Sequence, residues 1–274
     1  MNTIRYPLLF LFSALLFVGC GGKRPDKANS LPIKPEYVDQ LSGEWVVPAY
    51  RAKLIETGSE LSAFKALEGI GAISVYPAQG DSIEIMILYN NHEGFGGVLR
   101  PAEPGRNAGF SPLHVGNGVM NRQYEIGMEN EGDSFKLLLT EYDTEADSVH
   151  TIAFERIKPD GGPVTGPECV AAQVLYVGRY DVTDSKGKKG REVQLYPDLR
   201  MTGMDDAVHY GILTDFALPS IEMFFFRAEN QAIIERFGVQ RTEYGFELYE
   251  VVDDPNSGFE KFGKHHSRWT RIND

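Results

Sequence analysis

Four short matches recur in the same order in the two halves of this chain. Gly43-Glu44-Trp45 returns as Gly178-Arg179-Tyr180, and Val75-Tyr76-Pro77 as Leu195-Tyr196-Pro197. Phe135-Lys136-Leu137 returns as Phe246-Glu247-Leu248, and Glu155-Arg156-Ile157 as Thr270-Arg271-Ile272. Each match alone is trivial, but their shared order is not. An internal repeat constrains the fold more than any single motif, because what one half builds the other must build too. Between the halves, Lys158 to Gly166 holds three glycines and two prolines, which is linker composition. The expected organisation is a first domain over residues 38–158, a linker over 159–173 and a second domain over 174–274.

Both halves read as antiparallel β-structure. Ile83, Ile85 and Ile87 alternate with Ser82, Glu84 and Met86, and Leu137 and Leu139 alternate with Lys136 and Thr140. Ile152, Phe154 and Arg156 share a third alternating segment. Period two, bounded by Gly, Asp and Asn, is a strand signal. One helix stands out in the first half. Thr57 and Glu60 have capping-box spacing, Leu61, Phe64 and Leu67 recur every three residues, and Gly69 closes the segment. The second half carries only a short charged turn there, with Lys186, Lys188 and Lys189. Gly94 to Gly97 reads as a loop, and Arg100 to Gly118 as a long excursion suited to recognition.

A Gly-x-Trp on the first strand with an arginine on the last strand resembles the lipocalin and wider calycin pattern. The residues are Gly43-x-Trp45 with Arg156, and Gly178-x-Tyr180 with Arg271, where tyrosine departs from the pattern. The resemblance implies two tandem antiparallel up-and-down β-barrels. It also implies that each arginine packs across its aromatic ring and closes one barrel end. A guanidinium stacks well on an aromatic face, which has a negative quadrupole. A pair of small β-sandwiches is the competing architecture, with Trp45 and Tyr180 as plain core aromatics.

The N-terminus suggests an address. Leu8 to Val18 is apolar except for Ser13 and follows Arg5. About eleven helical residues span only about 16 Å, well short of a bilayer core of roughly 30 Å. The segment therefore reads as a signal peptide over residues 1–19. Phe17-Val18-Gly19-Cys20 resembles the lipobox of bacterial lipoproteins, which implies cleavage before Cys20 and acylation of its thiol. An ordinary secretory signal with a coincidental cysteine is the alternative. Residues 20–37 read as a flexible tether. Gly21 rather than aspartate after the cysteine implies, within that family, an outer-membrane location. Cys169 is the other cysteine, so the body must stand without an internal disulfide. Acidic residues outnumber basic ones by 39 to 27, which argues against nucleic-acid binding.

No catalytic constellation, cofactor motif or metal spacing emerges from the motifs. Asp205-Asp206 reads as a solvated turn. His150 and His265 each precede an arginine of the closing pattern by six residues. An even spacing places each histidine on the face of its arginine, about 20 Å away at the open end of a barrel. Both are candidate ligand-mouth residues; the alternative is a solvated turn before the last strand. The expected function is a non-enzymatic, membrane-anchored envelope lipoprotein that binds a small hydrophobic ligand or an envelope partner. The alternatives are an assembly subunit with filled barrels and, last, an enzyme with a histidine base at a barrel mouth.

Overall fold

Alternating apolar residues, interrupted by tight turns, build two sheets of eight strands each. The computed structural model describes residues 41–76, 83–89, 93–101, 113–115, 122–131, 134–143, 145–157, 166–214, 221–230 and 232–272. The first sheet comprises β1 (Gly43–Val46), β2 (Ile70–Val75), β3 (Ile83–Tyr89) and β4 (Glu93–Pro101). It continues through β5 (Leu113–Val115), β6 (Arg122–Glu131), β7 (Ser134–Asp143) and β8 (Ser148–Ile157). Every strand pairs antiparallel with its sequence neighbours, and β8 returns to β1, so the sheet is a closed barrel. Closure leaves no free edge.

The second sheet repeats this meander with β9 (Gly178–Asp184), β10 (Lys189–Leu195), β11 (Met201–Thr202) and β12 (His209–Ile212). It continues with β13 (Met223–Arg227), β14 (Ile233–Thr242), β15 (Gly245–Asp253) and β16 (Glu260–Arg271). Here β16 pairs back onto β9, and the opening falls between β11 and β12. An Arg200–His209 bridge spans that opening. Two backbone bonds, Met201 N to Val208 O at 2.8 Å and Tyr210 N to Leu199 O at 2.9 Å, flank it.

The pairing registers follow the sequence repeat with one displacement. Gly43 lies opposite Val75 and Gly178 opposite Leu195, as the aligned motifs require. However, Leu137 lies opposite Phe154, two residues before Arg156, whereas Phe246 lies opposite Trp269, two residues before Arg271. Leu137 therefore matches Phe246, not Leu248. A slip of two keeps every side chain on its face, so hydrophobic patterning cannot detect it. Gly94 to Gly97 is also not a loop. It lies within β4, with Gly94 opposite Leu88 and Gly96 opposite Met86.

Helices fill the space beside β1 and between the sheets. Helix α1 (Pro48–Thr57) starts with Pro48 and ends on Gly58, whose φ of 63° is left-handed. Its N–H bonds to Leu54 O at 2.8 Å. Helix α2 (Glu60–Ala63) runs on into a 3-10 turn over Phe64–Leu67. Its cap is Ser59, whose hydroxyl accepts from Ser62 N at 3.0 Å, so Thr57 ends one helix rather than starting the next. Helix α3 (Gly166–Ala171) continues into a π turn over Ala172–Tyr176. It occupies the second half of the expected linker and is buried along its length. Its Gly166 N bonds to Glu44 on β1 at 3.1 Å. Its Glu168 accepts from Arg227 at 3.1 Å and from Ile212 N at 3.0 Å in the second sheet. One apolar core, from Leu41 to Trp269, runs through both repeats.

Candidate functional site at the mouth of the second barrel

In each repeat an aromatic ring on the first strand meets an arginine on the last strand beside a glycine. Trp45 is fully buried and pairs with Arg156 across β1 and β8, with the guanidinium 5.9 Å from the ring centroid. The indole N–H donates to Leu41 O at 2.8 Å, and Arg156 Nη2 donates to Ser42 O. The second repeat places Arg271 opposite Tyr180, 5.5 Å from its ring centroid. Tyr180 Oη donates to Tyr176 O at 2.6 Å, the same four-residue step back that Trp45 makes to Leu41. The phenol oxygen then accepts from Arg271 Nη2 at 2.9 Å, a contact that a donor-only indole cannot make. Burial pushes the Tyr180 hydroxyl above its ordinary range, opposed by the Arg271 bond, so it stays protonated at neutral pH.

Above Tyr180 the second barrel is filled with rings. Phe224 lies 5.3 Å from Tyr176 and stacks on Tyr210 at 5.3 Å, and Phe246 stacks on Trp269 at 5.2 Å. Phe226 meets both Trp269 and Phe237. Each such ring contributes about 1.5–3 kcal/mol by leaving water. The first barrel's interior is lined in the same way by Ile73, Ile85, Ile87, Leu139 and Phe154, all buried.

The far end of the second barrel retains a cavity of about 220 Å³. Trp269, Phe226, Val182 and Met204 line its apolar part, and Asp184, Arg191, His266 and Ser267 its polar part. The even spacing from Arg271 predicts His265 here, but the structure places His266. Strand β16 runs in register from Arg271 to Ser267. Then the pairing shifts, so that Ser267 faces Leu248 while His265 faces Tyr249. An extra residue in one strand reverses the faces beyond it. His266 turns into the barrel and lies 4.4 Å from Phe237, ring to ring. His265 turns outward against Tyr249 at 5.3 Å, with its Nε2 buried and without a hydrogen-bond partner. Strand β8 has no such shift from Ser148 to Phe154, so His150 shares the face of Arg156 and is exposed opposite Glu141. The two histidines of the sequence pattern are therefore not equivalent.

The polar wall of the cavity is a short hydrogen-bonded chain. Trp269 Nε1 is a donor only, so Ser267 Oγ accepts from it at 3.0 Å. The serine hydroxyl is then free to donate to His266 Nδ1 at 3.0 Å. Asp184 accepts from the backbone N–H groups of Lys186 and Lys188, each at 2.9 Å. The Lys188 N–H is the main reason its carboxyl lies below the ordinary range, and it remains anionic. Arg191 is paired with Asp205 at 3.0 Å, and Asp205 is exposed in a bend, the solvated turn that the sequence suggests.

The Ser267 hydroxyl beside the His266 imidazole is also engaged by the Trp269 indole N–H. The Cys169 thiol is buried and pushed up to about 12, first by desolvation and then by Glu168, Glu44 and Asp198. Among the described residues, no three His, Cys, Asp or Glu side chains gather as a metal site. Cys20 and most of the Arg100 to Gly118 segment lie outside the described residues. Sequence reasoning missed Ser267 and His266 as mouth residues; a filled interior was among its alternatives, and the aromatic density of Phe224-Phe225-Phe226 was the signal for it. No family model, curated protein or solved structure matches this chain.

Proposed function

We propose that this chain is a non-enzymatic envelope lipoprotein, acylated at Cys20, that presents two filled calycin-like barrels to an envelope partner. The observation that carries this reading is the ring-packed interior of the second barrel. An eight-stranded barrel is wide enough either for its own side chains or for one small ligand. With Tyr180, Phe224, Phe226, Phe246 and Trp269 in place, no long lipid tail fits there. What the two barrels offer outward is then surface and loops, which is where rigid scaffolds carry recognition. The lipobox at Cys20 supports a lipid anchor, and no helix among the described residues is long and apolar enough to cross a membrane.

A second reading rests on the mouth cavity. A space of about 220 Å³ with a Trp269 and Phe226 floor and the His266 imidazole on its polar wall suits a compact, flat, largely apolar molecule with a single polar group. Titration of the purified full chain with a fluorescent long-chain fatty acid separates the readings. The filled-barrel reading predicts no saturable one-to-one binding and no quenching of tryptophan emission. Saturable binding lost in Phe226→Trp, which fills the mouth, overturns it in favour of carriage.

A further inference from the structure

We infer that the seam between the two barrels is a proton-linked latch, in which one proton on the Glu60–Glu222 carboxyl pair keeps α2 docked on β14. Glu60 opens α2 in the first repeat and is fully buried. Its Oε1 accepts from Arg241 Nη2 of β14 at 2.8 Å. Arg241 also donates to Leu175 O at 3.3 Å and lies 4.4 Å above the Tyr176 ring. Glu222, just before β13, reaches back across the seam. Its Oε1 accepts from Ser59 Oγ and from Leu61 N at 3.2 Å, capping α2 from the other repeat. Its Oε2 lies 3.9 Å from Arg241 Nε.

Two carboxyls therefore face one guanidinium, with Glu60 fully buried and Glu222 and Arg241 largely so. Tyr50 on α1 and Tyr176 on the π turn also face the pair, and the Tyr176 hydroxyl shares a side-chain hydrogen bond with Glu60. Glu168 on α3 is the next carboxylate, and it is held by Arg227. A second full negative charge has no cation of its own here, so a proton is retained. Burial, opposed by Arg241 and reinforced by Glu222, raises the Glu60 carboxyl to about 8.

The direction of the linkage follows. Docked, Glu60 holds its proton up to about pH 8. Undocked and solvated, it releases that proton to bulk water above about pH 4.3. Between those limits undocking becomes easier as pH rises, by at most about tenfold per pH unit for one proton. The latch is tight in acid and loosens toward pH 8.

Hydrogen–deuterium exchange on the full chain in detergent tests this from pH 5.5 to 9, with the intrinsic amide rates divided out. The latch predicts opening of Ser59–Leu67 that rises severalfold per unit and levels off above pH 8. It predicts no such rise in Glu60→Gln. Should that variant not fold, Glu222→Gln serves instead, and its plateau is expected at lower pH because the neighbouring charge is gone. A pH-independent opening in the wild-type chain, or an equal slope in Glu60→Gln, or an unmoved plateau in Glu222→Gln, overturns the proposal.

Discussion

A Cβ at position 43 would lie 3.1 Å from Arg156 Nε, and the backbone φ there is 135°. The equivalent Cβ at Gly178 would lie 3.4 Å from Arg271 Nε. These glycines are what let a guanidinium lie flat over the neighbouring ring. Gly43→Ala is therefore expected to cost about 1–3 kcal/mol, from strain and a displaced arginine together. Urea unfolding measures it, with Gly187→Ala as the reference for left-handed strain without contact, since nothing lies within 4 Å there. Equal losses in the two variants would remove Arg156 from the explanation. Tyr180→Phe leaves the ring but strips the oxygen that joins Arg271 to Tyr176, and should cost about 1–3 kcal/mol. Cys169 tests burial by chemistry. With its thiol pushed up to about 12, it should stay unmodified by iodoacetamide at pH 8 until denaturant is added. Rapid modification of the native chain would place the α3 seam in water.

At the scale of elements, the strands and α2 with its 3-10 turn were legible, and α1 and α3 were not. Ile83 to Tyr89, Ser134 to Asp143 and Ser148 to Ile157 announce themselves by period two because one face of each is buried. Helix α1 has only Tyr50 and Leu54 buried, too few for a clear period, so Pro48 and Gly58 at its ends were its main signal. Helix α3 fails for the opposite reason. It is buried all round, so it has no polar face to set a period, and the glycines and prolines before it suggest a linker. The mouth was misjudged by one residue. A β-bulge leaves no mark on spacing, so His265 was expected where His266 stands. Helix α2 gives the clearest element-level prediction. Ser59→Ala removes the cap bond to Ser62 N and the contact with Glu222, and should destabilise by about 1–2 kcal/mol. Thr57→Ala should have a smaller effect, because its hydroxyl serves the end of α1. Thermal unfolding of the two variants decides between them, and the reverse ranking would restore Thr57 as the cap.

The molecule as a whole is two copies of one meander, fitted together through α1, α2 and α3 and sharing one core. The repeat that was readable in four short motifs extends to the closing pairs, Trp45 with Arg156 and Tyr180 with Arg271. It does not extend to the seam: Glu60 lies on a helix that the second half lacks, and Arg241, opposite Phe246, stands where the first half has Met128, opposite Leu137. Tandem copies can diverge there because each side of the seam meets a different partner. We propose that an acylated Cys20 holds this pair of barrels at a membrane, with the second barrel occupied by its own side chains. Native mass spectrometry of the protein purified from its own membranes tests it most directly. The predicted mass is that of the chain from Cys20 onward plus its covalent acyl groups, with nothing further bound. A chain that still carries residues 1–19, or one that carries a stoichiometric lipid lost only on unfolding, would contradict the account.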